Sequence, residues 1–198
     1  MFKEFFIQEL GSGLKKPMIY IFTFIMTLLV FGAVASDNVV IGGTAGQVFK
    51  NAPHIITMYC GILTIFGLLI ATAFFNTAAL KDHNNNFTEI LFSTPISKGG
   101  YYFGRFFGAL ILSTIPLLGI FFGFYLGAVI GPAAGWIDAD RIGEFYPESF
   151  INNYLLFILP NMFFAGAITF AMATKWKSTV ISFVGTMVII IAYIVSGT

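Results

Sequence analysis

Five long stretches of this chain carry no Asp, Glu, Lys or Arg: Pro17 to Ser36, Asn51 to Leu80, Phe106 to Ile137, Ser149 to Thr174 and Ser178 to Thr198. About 20 residues of helix cross the hydrocarbon core of a bilayer, so each stretch is long enough to span it. A backbone in lipid must satisfy its own hydrogen bonds, which leaves helices or closed barrels. The apolar runs are continuous rather than alternating, and this selects helices. Spans are expected at 18–36, 55–80, 106–131, 150–173 and 179–196. Charged residues make up 10% of the chain, against roughly a quarter in soluble domains. The class is therefore an all-α, polytopic membrane helix bundle.

Orientation follows from the basic residues. With the N-terminus inside, Lys3, Lys15, Lys16, Lys81, Lys98, Arg105, Lys175 and Lys177 are cytoplasmic, while Lys50 and Arg141 are external. Positive residues collect on the cytoplasmic side of short loops, so this topology is preferred. The outer segments are then Asp37 to His54 and Pro132 to Glu148. The second holds Asp138, Asp140, Glu144 and Glu148 beside Trp136 and Tyr146, without the spacing of a calcium loop, and reads as a solvated face with interfacial aromatics. The first span, with its basic flank and its ending at Ala33 and Ala35, imitates a signal peptide. Its apolar core exceeds the roughly 7 to 15 residues of such a segment, so it is expected to stay as a membrane helix.

Ahead of it, residues 1–16 read as an amphipathic elbow in the inner interface, with Phe2, Phe6 and Leu10 on one face and Lys3, Glu4, Gln8 and Glu9 on the rest. None of the five spans has a charged residue at its centre, which argues against ion-coupled transport. Gly119, Gly123, Gly127 and Gly131 form a smooth ridge for close helix packing; Gly104 with Gly108, and Ala165, Thr169 and Ala173, repeat the pattern. Pro116 and Pro160 are expected to bend their helices.

Catalytic signatures are missing. The two histidines, His54 and His83, fall on opposite sides of the membrane, and there is no HExxH or GxSxG. Gly99 to Arg105 begins like a phosphate loop but ends in Arg105 and Phe106 where Lys and Ser/Thr are required, so this chain is not expected to bind ATP. Asn86 opens a glycosylation sequon, without meaning on the cytoplasmic side. Cys60 is the only cysteine and reads as a small buried hydrophobe. The net charge of +1 gives no basic footprint for nucleic acid.

One stretch fits none of these roles. Between the second and third spans, Asn86 and Glu89 resemble a capping box that starts a short helix over "FTEILFS", with Phe87, Ile90 and Leu91 on one face. Thr94 and Pro95 are expected to stop it, and Ser97 to Gly100 to turn toward the third span. Its apolar face would be covered by a groove on a soluble partner or by lipid headgroups.

The pattern Lys81, Asp82, Thr88, Glu89, Leu91, Thr94, Pro95, Ser97, Lys98, Gly104 and Arg105 resembles the first cytoplasmic loop of ABC-2 type permeases, the membrane components of ATP-binding cassette transporters. The resemblance implies a single transmembrane domain over 1–198: elbow 1–16, helices one and two within 17–80, coupling loop 81–105, and helices three to five within 106–198. It also implies a coupling helix at Asn86, Phe87, Thr88, Glu89, Ile90, Leu91 and Pro95 that docks on an ATPase subunit. ATP and Mg would be bound by that subunit, with no cofactor and no enzyme activity in this chain. A second permease half, or a second copy, would complete an exporter in the bacterial inner membrane. The specific match covers about 25 residues, and "DHNNN" replaces the family's alternating Arg and Glu. The family has six spans per half against five here, so a sixth helix is expected beyond the chain's end. The Phe-rich spans are also similar to the N-terminal part of large bacteroidete permeases fused to a zinc aminopeptidase. Two other readings are a non-transporting scaffold and the membrane anchor of such a downstream peptidase.

Overall fold

The computed structural model describes residues 1–39, 48–93 and 95–196. The described residues contain helices and no strand. In chain order they are α1 (Phe2–Leu14), α2 (Pro17–Ala35), α3 (Pro53–Asn84), α4 (Thr88–Ser93), α5 (Lys98–Ala133), a short 3-10 turn (Ala139–Arg141), α6 (Pro147–Asn153), α7 (Leu159–Trp176) and α8 (Thr179–Ser196). A π-helical turn, Tyr154–Ile158, joins α6 to α7, so that Pro147–Trp176 is one continuous stretch. Among the described residues four helices, α2, α3, α5 and Pro147–Trp176, are long and apolar enough to cross a membrane. The fifth expected span is α8, whose apolar stretch covers Thr179–Ala192.

Two boundaries differ from the sequence expectation. α3 runs on to Asn84 instead of ending at Leu80, and α5 begins at Lys98 instead of Phe106. Hydropathy stops a helix at its first charge, whereas Asp82 and Arg105 remain helical because they neutralise each other. The chain therefore does not turn at Ser97 to Gly100, since Lys98, Gly99 and Gly100 are already helical. Asn86 is not the cap that starts α4. It takes a positive φ of 54°, with Phe87 N–H donating to Asp82 O (2.8 Å) and Asn86 N–H to His83 O (3.1 Å). These two bonds close the end of α3 in a left-handed stop, a conformation that Asn tolerates better than most side chains. Thr94, expected to end α4, lies outside the described residues, as do residues 40–47 of the first outer segment.

Hydroxyls inside the apolar helices are satisfied locally. Thr64, Thr72 and Thr169 donate to the carbonyls of Cys60, Leu68 and Ala165, four residues back in each case. Each hydroxyl proton is thereby satisfied within its own helix, which lets it sit in an apolar surround. Pro160, which has no N–H to give, is the second residue of α7, just beyond the π-helical turn, a kind of bulge that often accompanies a bend. Pro116 lies inside α5 without interrupting it.

The chain divides into two compact units. One gathers Tyr20–Phe66 and Ile115–Pro160. Here the glycine ridge of α5 lies against α2. A Cβ on Gly123 would stand 2.7 Å from Thr27 O and from Val30 Cβ, and one on Gly127 2.7 Å from Val34 Cβ. A Cβ on Gly131 would come within 2.9 Å of Ala35 Cα, and one on Gly119 would overlap Thr23 O. Phe150 stacks on Phe145 and meets Phe121 edge-on, closing α6 over α5.

The same unit holds an unanticipated polar clamp. Lys50, 6% exposed, donates to Ala33 O (3.0 Å) and Ser36 O (2.6 Å) at the end of α2, and pairs with Asp37 (2.9 Å). Arg141 reaches the same carboxylate at 3.6 Å. Asn51 donates to Gly143 O (2.8 Å) and Glu144 O (3.1 Å) and accepts from Gly143 N–H (2.7 Å). The second outer segment is thus pinned to the first through its backbone, while Asp138, Asp140, Glu144 and Glu148, with Trp136 and Tyr146, are exposed as the sequence predicted. The hydrogen bond from Lys50, joined by the charges of Lys50 and Arg141 and opposed by slight desolvation, holds the Asp37 carboxyl below its ordinary 3.8. The stability this pair contributes is present above that ordinary value and is lost as the pH falls through the lowered one. Lys50→Met should cost about 1–2 kcal/mol, because a buried cation at a helix C-terminus is removed while Asp37 stays in water. Hydrogen exchange of the Ala33 to Ser36 amides checks this: they should exchange faster in the variant than in the parent protein.

The other unit gathers Met1–Ile19, Gly67–Thr114 and Asn161–Thr198. α1 lies along the first turns of α5, where the glycines again remove the obstacle. A Cβ on Gly104 would be 2.8 Å from Phe2 O and from Phe5 Cβ, and one on Gly108 2.8 Å from Glu9 Cβ. One turn further the relation inverts, and the Leu112 side chain fills the space that Gly13 leaves on α1. Phe106 packs among Phe75, Phe163 and Phe170 at ring separations of 5.4–5.6 Å. Ala165, Thr169 and Ala173 are buried.

Candidate functional site

The α1 face turned to α5 is rotated from the one expected. Phe2, Phe5, Glu9 and Gly13 share the seam, and Glu9, expected on the polar face, is 4% exposed. A carboxylate cannot be buried there without a cation. Arg105 supplies it, with Nη1 3.0 Å from Glu9 Oε2 and Nη2 2.5 Å from Asp82 Oδ2. Tyr101 donates from its hydroxyl to the same Asp82 oxygen at 2.6 Å, and the guanidinium sits over the Tyr101 ring at 5.0 Å. Lys81 approaches Glu9 at 3.8 Å and donates to Ser12 Oγ at 3.0 Å.

Two carboxylates and two cations thus neutralise one another where α1, α3 and α5 meet. Buried ion pairs of this kind yield little net stability, since desolvation offsets the attraction, but they are costly to break and fix the register of the elements they join. The guanidinium is the suited cation, because its planar fork can serve two carboxylates at once. The charge placed by sequence in a cytoplasmic loop is in fact a buried bolt between helices. A signal for it was present: Glu9 follows Phe2, Phe5 and Phe6 at helical spacing, on the stripe that ends in Gly13.

This bolt stands at the root of α4. Asp82 belongs to the last turn of α3, and its carbonyl takes the Phe87 N–H. Beyond it the residues named for docking are unevenly presented. Phe87, Glu89 and Ile90 are exposed, Ile90 by 59%, as are Asn86 and Pro95, while Thr88 and Leu91 are half-buried. Gly119, Gly123, Gly127 and Gly131 are brought together along α2, in the unit that does not contain α4.

His54 and His83 sit near opposite ends of α3. Among the described residues no group of three or more His, Cys, Asp and Glu stands together where it could hold a metal ion. Cys60 is fully buried. An aromatic cavity of about 490 Å³ lies between α5 and α7, lined by Tyr102, Phe103, Phe106, Phe163 and Phe170 and edged by Lys175. Compared with protein-family models, curated proteins and solved structures, the chain matches none of them.

Proposed function

We propose that this chain is the membrane permease component of an ABC-2 type ATP-binding cassette exporter. Its five apolar helices cross a bacterial inner membrane with the N-terminus cytoplasmic, and α1 lies in the interface as an elbow. α4 docks on a separate ATPase subunit, which binds ATP and Mg, and a second half or a second copy completes the path. The observation that carries this reading is the pairing of an exposed apolar helix with a rigid root. Phe87 and Ile90 project from α4 without cover, and the helices on either side of α4 are tied through Asp82 and Arg105. A push on α4 would then be passed to α3, α5 and α1 together rather than absorbed by a loop. The excess of Lys and Arg on the α4 side supports the same orientation.

A scaffold that recruits partners through the glycine ridge is less well supported, because α2 occupies that ridge within the chain. A photo-reactive residue at Ile90, activated in native membranes, is expected to capture an ATPase carrying a GxxxxGK[ST] loop. Ile90→Asp and Glu89→Lys are then expected to uncouple ATP hydrolysis from export while the protein still inserts. Capture of lipid alone by a properly inserted protein would refute the docking role and leave α4 as an interfacial helix.

A further inference from the structure

A second cavity, of about 380 Å³, lies between the last turns of α3 and the first turns of α8. Asn76 stands in its wall at 4% exposure, and neither its Oδ1 nor its Nδ2 has a hydrogen-bond partner among the described residues. Native proteins rarely leave a buried carboxamide unpaired, so the group marks a place where a polar ligand or ordered water completes the site. One turn away the two helices touch directly, with Thr72 and Thr186 hydroxyls bonded at 2.7 Å.

The chemistry of the wall selects the ligand. Among the described residues no Asp or Glu lines the cavity. Lys81 does, and of its three donors one goes to Ser12 and another direction is drawn toward Glu9. Thr179 opens α8, whose first N–H groups lack carbonyl partners within the helix and lie at the positive end of its dipole. The Ile181 N–H reaches only Ser178 Oγ, at 3.5 Å. Asn84 adds a carboxamide at the exposed mouth, while Ala73 and Phe183 make the remaining wall apolar. Convergent donors, with Glu9 beside Lys81 but outside the wall, suit a group with several acceptor oxygens, and the apolar wall suits an organic part attached to it.

We propose that the cleft between α3 and α8 binds a phosphate-bearing anion, with Asn76 Nδ2 and Lys81 Nζ donating to its oxygens at the N-terminal turn of α8. The phosphate could belong to a lipid headgroup or to a free phosphate, and the two sources are separable. The assignment does not depend on the transporter reading.

The test uses the full chain in a neutral detergent, titrated with inorganic phosphate and, separately, with mixed micelles of phosphatidylglycerol or of zwitterionic phosphatidylcholine. Melting temperature and native mass spectrometry are the readouts. A saturable rise in melting temperature with phosphatidylglycerol alone assigns a lipid headgroup, and one with inorganic phosphate as well assigns a free phosphate. Asn76→Leu should melt higher than the parent protein without ligand, because an unpaired buried amide is gone, yet bind the anion about tenfold more weakly or worse. Asn84→Asp, at the exposed mouth where folding is not at stake, should weaken the anion by a similar factor. No saturable response to either probe, or unchanged binding in both variants, would overturn the proposal.

Discussion

Arg105→Met is expected to destabilise the protein by about 3–5 kcal/mol, the cost of leaving buried carboxylates without their cation. The side chains of Arg105, Glu9 and Asp82 are 4%, 5% and 12% exposed, so water cannot replace the lost partner. The loss should be readable as a lower midpoint in chemical unfolding from detergent micelles. It should be largely recovered in the triple variant Arg105→Met, Glu9→Gln, Asp82→Asn, in which none of the three buried charges of the cluster remains. Arg105→Lys should recover only part, since a single ammonium cannot span two carboxylates in the way the guanidinium does. A midpoint for Arg105→Met within about 1 kcal/mol of the parent, the range of an exposed pair, would show that the cluster is solvated.

The second large effect is steric. Gly123→Leu should cost about 3 kcal/mol or more, beyond the usual range for overpacking, because the obstacles include backbone. The first atom of the new side chain would already lie 2.7 Å from Thr27 O and 3.0 Å from Phe31 N, and neither can rotate away. Gly61→Leu makes the control. It is also a glycine inside a long apolar helix, but a Cβ there meets nothing within 4 Å. That substitution should be neutral or stabilising by up to about 1 kcal/mol, through helix propensity alone. Equal unfolding midpoints for the two variants would mean that α2 and α5 are not in contact at the ridge.

Comparing those two glycines shows what can be read from sequence. The helices themselves are legible in the uncharged runs, because lipid leaves so few ways to bury a backbone. The glycine ridge is legible as a small-residue period, but the helix that fills it is not, since the period says nothing of its partner. Charge is read least well. Hydropathy treats Asp82 and Arg105 as the end of one span and the approach to the next, and Glu9 as the polar side of an interfacial helix. Each is buried only because of a residue far away in the chain, 96 positions for Glu9 and Arg105. The clamp of Asn51 on Gly143, across 92 positions, is invisible for the same reason. Asn86 misleads differently: its side chain suits either end of a helix, and the backbone chose to finish α3 rather than start α4. For α4, sequence predicts a short helix with an apolar face, and the structure adds that Leu91 is its half-buried side and Ile90 its exposed one.

The long separation between Glu9 and Arg105 also bears on how the protein is made. A ribosome extends the chain at roughly 5–20 residues per second, so Arg105 follows Glu9 by on the order of 5–20 s. For that interval α1 has no glycine groove to lie in and Glu9 no guanidinium to meet, so the carboxylate must wait in water or at the headgroups. α2 waits as well, because its groove on α5 is made later still. It has the highest mean hydropathy of the four long helices, 2.3, although only 33% of that window is finally buried against protein. Its composition suits a helix that must hold its place in lipid alone before the rest of the bundle arrives.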